Sequence, residues 1–192
     1  AYNSYVIMDE KIAIMDMVDA KCADQWFANV AEVLGDRKPD YLIISHLEPD
    51  HSANLGDVLA KYPDIKIVSN AKLFGMLPNF FEVPVADRSV TVAEGQTLSL
   101  GSHTLQFFMA PMVHWPEVMV AYEQSEKILF SADAWQVRHS GYRRGLGMRG
   151  EKILLQYSRK VWNACTGTSE EGSRTGYPED MCTPRTNPHR ES

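Results

Sequence analysis

The sequence of 192 residues has no apolar run approaching the roughly 20 residues that cross a bilayer as a helix. No leader with charged, apolar and small-residue regions precedes its first strand, so a cytoplasmic location is the expectation. Cysteine is scarce: Cys22, Cys165 and Cys182 are odd in number and show no CxxC spacing. That argues against a disulfide framework and against a zinc or iron–sulfur site built on thiolates. Positive charge is also short, and the net charge of −6 argues against nucleic acid or an anionic membrane surface as the main partner. There is no internal repeat.

What is present describes an ordinary globular chain, 44% hydrophobic and 23% charged, long enough for one domain with a substantial core. The charge is unevenly spread. Residues 1–135 carry 9 Lys+Arg against 19 Asp+Glu, a net of −10, whereas residues 136–192 carry 10 against 6, a net of +4. Seven of the twelve glycines lie in the second stretch. The expected organisation is a core over 1–135 and a divergent tail over 136–192 that completes or disrupts the same domain.

Ser4–Met8 and Lys11–Val18 read as a hairpin around Asp9-Glu10. Lys21–Leu34 has helical apolar spacing with Gly35 as its stop, and Tyr41–Ile44 is a short, wholly apolar strand of the two-faced kind. A helix over Ser52–Tyr62, a strand over Ile65–Ser69 and a helix over Ala71–Met76 follow. Strands then dominate: Val90–Val92, Thr97–Leu100, Thr104–Met109, Val118–Tyr122 and Lys127–Ser131. Early alternation and later strands suit an α/β fold with helices packed outside a pair of sheets. Beyond Trp135 only Ile153–Ala164 reads as a helix.

The chemistry concentrates in His46-x-Glu48-x-Asp50-His51, directly after the apolar strand. Four metal-competent side chains within six residues can clasp two cations, because neighbouring side chains diverge. Burying two carboxylates beside two imidazoles is expensive without a cation to neutralise them. His114, in a loop between expected strands, and Asp133, just past another strand, fall at comparable positions and converge on one sheet edge. His103, by contrast, reads as a surface or satisfied core histidine.

The motif His46-x-Glu48-x-Asp50-His51, then His114, then Asp133 resembles the HxExDH…H…D…H ligand set of the flavodiiron proteins. The surrounding Ser4–Val18 hairpin, His114-Trp115-Pro116 and Ser131-Ala132-Asp133-Ala134 extend the likeness over essentially all of residues 1–135. The resemblance implies an αββα metallo-β-lactamase-like sandwich with a centre of two iron ions. One iron would take His46, Glu48 and His114, the other Asp50 and His51, and Asp133 would bridge them. Hydrolases of the same fold carry HxHxDH. The carboxylate of Glu48 in place of that imidazole favours iron over zinc and redox chemistry over hydrolysis. The family reduces O2 to water or NO to N2O with electrons from FMN in a flavodoxin-like domain. Its members assemble as head-to-tail homodimers and draw on rubredoxin-type donors.

The likeness breaks in the tail, although Ile153–Val161 again resembles a helix of the family. The family's seventh ligand has no clear counterpart, since His139 follows Asp133 too soon and His189 sits in Asn187-Pro188-His189-Arg190. A flavodoxin-like domain and its phosphate-cradling loop are absent from these residues. As a hypothesis, the tail is translated partly out of frame: one codon choice for Gly141–Glu151 reads, one base on, as an acidic, family-like segment. A single clean frame in independently sequenced clones would sink that idea. The rival readings are a thioesterase-like hydrolase of the same fold and an inactive metal-binding fragment.

Overall fold

The computed structural model describes residues 3–134, 161–163 and 168–169. Its first strands, β1 (Tyr5–Ile7) and β2 (Ala13–Met15), pair antiparallel as the hairpin pattern predicts. Helix α1 (Ala23–Leu34) buries Trp26, Val30 and Leu34, a four-residue spacing that puts all three on one face. It ends at Gly35, whose φ of 55° suits the residue without a Cβ, and whose N–H bonds back to Ala31.

Strand β3 (Tyr41–Ile43) lies parallel to β2 on one side and to β4 (Lys66–Asn70) on the other, which is why all three of its residues are apolar and buried. The expected helix over Ser52–Tyr62 is two helices, α2 (Pro49–Ser52) and α3 (Leu55–Lys61). Pro49 at the first turn starts the earlier one ahead of the expected boundary. The Ser52 hydroxyl donates back to the Leu47 and Glu48 carbonyls, and the buried Asn54 amide turns to the Val18 carbonyl at 2.6 Å, breaking the run. Helix α4 (Ala71–Met76) follows β4, capped by Asn70.

Strand β5 (Ser89–Val92) pairs parallel with β4. A second, antiparallel sheet holds β6 (Thr97–Ser99), β7 (Thr104–Met109), β8 (Met119–Glu123) and β9 (Ile128–Phe130) in chain order. Strands β10 (Val161–Asn163) and β11 (Thr168–Ser169) extend the first sheet to seven strands, ordered β11-β10-β1-β2-β3-β4-β5. This corrects the expected helix over Ile153–Ala164, whose residues 161–163 pair antiparallel with β1. The pairing covers what would otherwise be an open edge of β1. The rest of that segment lies outside the described residues.

The two-residue period of the strands divides the core. Val6, Ile12, Ile14, Leu42 and Ile67 pack toward Trp26, Val30, Val58 and Leu73 of the helices. Their neighbours Ile7, Ala13, Met15, Ile43 and Val68 pack toward Leu105, Phe107, Met119 and Phe130 of the second sheet. Each such fully buried Ile, Leu or Phe contributes about 1.5–3 kcal/mol. Two sheets with helices outside the larger one are therefore observed, as the sequence pattern suggests.

At one end the two sheets are pinned together. The Asp9 carboxylate, in the β1–β2 turn, accepts from the His103 backbone N–H at 2.7 Å and meets its ring Nδ1 at 2.6 Å. His103 is thus a satisfied, buried histidine. Gly101, at φ 127°, lets the strands come this close, since a Cβ there would lie 2.8 Å from Asp9 Oδ1. These partners hold the Asp9 carboxyl well below the usual carboxylate range against the opposing effect of burial.

Candidate metal centre

The opposite end of the sandwich gathers the charged residues. Asp16 follows β2, His46 to His51 follow β3, His114 lies between β7 and β8, and Asp133 follows β9. The β7 and β9 strands run the same way, both antiparallel to β8, so their outgoing loops meet over the end of β3. The Met119 N–H donates to the Ser45 carbonyl at 3.1 Å and the Asn70 amide to the Glu117 carbonyl at 2.7 Å, tying the two sheets together here.

All six residues singled out in the sequence come together, in two groups that share one member. His46, Glu48, His114 and Asp133 form the first, and Asp50, His51 and Asp133 the second, with one donor atom from each residue within 4.8 Å of the others in its group. In the first, Glu48 Oε2 lies 3.2 Å from His46 Nε2 and 3.6 Å from His114 Nε2. In the second, His51 Nε2 lies 3.8 Å from Asp50 Oδ1. Asp133 faces both: its Oδ1 is 3.3 Å from His51 Nε2 and its Oδ2 3.6 Å from His114 Nε2.

These separations suit cations. Donors at about 2.1 Å from one metal stand about 3 Å apart when adjacent and about 4.2 Å apart when opposite. Asp50 Oδ1 and His51 Nε2 are buried and have no hydrogen-bond partner among the described residues, a costly condition that a shared metal ion would relieve. The donor set, three imidazoles and three carboxylates, is that of a non-haem iron site more than of a thiolate-rich zinc site. The group fits.

Electrostatics give the same picture. Burial opposes charging His51, yet the Asp133 and Asp16 carboxylates beside its ring outweigh it and push its pKa up to about 11. Burial raises the Asp50 carboxyl, helped by Asp133 and Glu48 and opposed by His51. Asp133 is lowered by its contact with the His51 ring. The pocket is a concentration of negative charge awaiting positive charge.

The expected seventh-ligand candidates, His139 and His189, lie outside the described residues. Two buried acids were missed by the sequence reading. Glu117, with a side chain wholly shielded from solvent, meets His46 Nδ1 at 2.8 Å. Asp16 meets His51 Nδ1 at 3.3 Å. A signal for Asp16 was present: it is the sole charged residue within the apolar stretch Ile12–Val18. Glu117, two residues past Trp115 in a loop, carried none.

The profile of the ODP family of beta lactamases matches residues 1–144. The chain belongs to the flavodiiron family. Among flavodiiron relatives, it is 35% identical over 135 residues to a putative diflavin flavoprotein A 1 of Thermosynechococcus vestitus, covering 70% of this chain and 23% of that protein. It is 35% identical over 136 residues to the anaerobic nitric oxide reductase flavorubredoxin of Citrobacter koseri, covering 70% and 28%. Rubredoxin oxygen:oxidoreductase from Desulfovibrio gigas superposes with a TM-score of 0.63 at 34% identity, over 67% of this chain and 32% of that one. The flavodiiron protein of Giardia intestinalis gives 0.64 at 32% identity, over 68% and 32%. The chain thus spans about a quarter of the length of these curated flavodiiron relatives.

Proposed function

We propose that this chain is the diiron-binding part of a flavodiiron oxygen or nitric oxide reductase, with His46, Glu48, Asp50, His51, His114 and Asp133 as its metal ligands. The observation that supports it most is the Asp133 carboxylate, whose two oxygens face two different donor groups. Two ferrous ions held there would supply electrons and open coordination positions for reducing O2 to water or NO to N2O.

The chain's own residues do the rest. His46, Glu48 and His114 would hold one ion, Asp50 and His51 the other, and Asp133 would fix their separation. The three carboxylates favour the higher oxidation state that the reaction passes through. The Trp115 ring stands edge-on to His46 at 5.0 Å and against Phe80 at 5.7 Å, an apolar wall that limits water beside the first group.

The electrons would come from FMN in a flavodoxin-like domain, itself fed by a rubredoxin-type donor, in a head-to-tail homodimer in the cytoplasm. The likeness to a diflavin flavoprotein, a flavorubredoxin and a rubredoxin oxygen:oxidoreductase supports that source. Among the described residues no helix is long and apolar enough to cross a membrane. Residues 136–192 would complete the same domain, a reading supported by the β1–β10 pairing. Elemental analysis of protein loaded anaerobically with iron tests the proposal: about two irons per chain are expected. Consumption of NO or O2 with an artificial electron donor should follow. Thioester hydrolysis by zinc-loaded protein, without gas reduction, would overturn it.

A further inference from the structure

The loop that carries four of the six proposed ligands is gripped from both sides by acids outside the ligand set. Glu117 Oε1 accepts the Leu47 N–H at 3.0 Å and lies 2.8 Å from His46 Nδ1. Asp16 Oδ1 accepts the Ser45 N–H at 2.7 Å, while its Oδ2 lies 3.3 Å from His51 Nδ1. Each acid therefore holds one imidazole and one backbone N–H beside it, and the two backbone contacts flank His46. They come from different sheets: Asp16 ends β2 and Glu117 precedes β8.

We infer that Glu117 and Asp16 are positioning residues of the centre, orienting His46 and His51 and setting the charge behind them. This rests on the diiron reading above. Because each carboxylate already accepts a backbone N–H, the adjoining Nδ1 is the donor and carries the ring's proton. When a metal takes the place of any second proton, Nε2 presents its lone pair inward, toward Glu48 in one case and toward Asp50 and Asp133 in the other. An imidazole hydrogen-bonded to a carboxylate is also a more basic ligand, which favours the oxidised metal.

Two details separate this from ordinary buried-acid packing. Glu117 is 0% exposed at its side chain, and its Oε2 has no hydrogen-bond partner among the described residues, so the acid is held where its charge is costly. Asp16 has a left-handed backbone, φ 54°, at the point where it leaves β2, and its own N–H bonds to the Ile43 carbonyl. Neither feature is the cheapest way to end a strand or close a loop. Both place a carboxylate behind a histidine.

The test uses the full chain, metal-free and loaded with Fe(II), as wild type, E117Q, E117A and D16N. Iron affinity is read by chelator competition, the midpoint potential by redox titration, and folding by melting of the metal-free protein. For E117A the iron dissociation constant should rise about 10–100-fold. E117Q keeps an acceptor oxygen but loses the charge, so it should recover most of the affinity while its potential moves positive. D16N should shift the potential in the same direction. Wild-type affinity and potential in both E117Q and D16N, whatever their melting temperatures, would overturn the inference and leave the diiron reading standing. Failure of the wild type itself to bind iron would overturn both.

Discussion

The two sides of the proposed centre are built differently. The His46–His51 loop buries both its histidines, with its backbone tied at Ser45, Leu47 and Ser52 and both rings backed by acids. The His114 arm is 44% exposed at its side chain, and its ring meets Glu48 and Asp133 only at 3.6 Å, with no hydrogen bond among the described residues. Its backbone is left-handed at both Met112 (φ 63°) and His114 (φ 50°), at a cost of order 1–2 kcal/mol each. Met112 projects into solvent, 74% exposed. One side is formed in advance by packing and hydrogen bonds. The other has its loop backbone tied, Met112 N–H to the Trp115 carbonyl, but its His114 ring adds only an edge contact with His46 at 4.7 Å and would need a cation to fix it.

The comparison breaks most completely at Asp133, the one residue common to both sides. Asp133→Ala should reduce bound iron from about two to below one per chain and abolish gas reduction; retention of two irons would remove the bridging role. Next comes the contrast between His46→Asn and His114→Asn. The first leaves Glu117 buried without its imidazole and should cost the metal-free protein about 3 kcal/mol as well as its iron. The second should weaken iron about tenfold while leaving metal-free melting unchanged. Equal melting losses in the two variants would mean that the sides are equally preformed.

A pH series sharpens the distinction further. The folded-state pKa of His51 lies near 11, above the roughly 6.5 of an unfolded chain. Its protonated ring therefore stabilises the metal-free fold fully below about pH 6.5, and that contribution is lost as pH rises toward 11. Iron must displace this proton, so apparent affinity should climb over the same range. Metal-free melting temperatures that rise from pH 7 to pH 10 would contradict the assignment. The smallest effect is expected farthest away: Asp9→Asn should cost about 1 kcal/mol and leave iron affinity unchanged.

The six proposed ligands were legible because they cluster at strand ends, where an apolar strand running into imidazoles and carboxylates has few inexpensive explanations. The strands around them were legible from their two-residue and continuous apolar patterns. Glu117 and Asp16 were not, because their importance comes from residues 71 and 35 positions away in the chain. The break between α2 and α3 was also hidden, since it depends on Asn54 reaching Val18 across the fold. Val161–Asn163 misled by helical spacing, although Val and Trp are equally at home in a strand once β1 offers an open edge.

The Asp9–His103 pin has a mechanical consequence. It fastens the two sheets at the end opposite the ligands, so the sandwich would be closed twice, by hydrogen bonds alone below and by hydrogen bonds together with cations above. Stripping the metal loosens only the upper closure, which keeps its hydrogen bonds. The metal-free chain should then behave like a book held by its spine, with amides near Ser45 and Met119 exchanging faster and those near Leu100 and His103 unchanged. Iron would act here as a reversible clasp as well as a reactant, making the upper edge of the fold as tight as its occupancy.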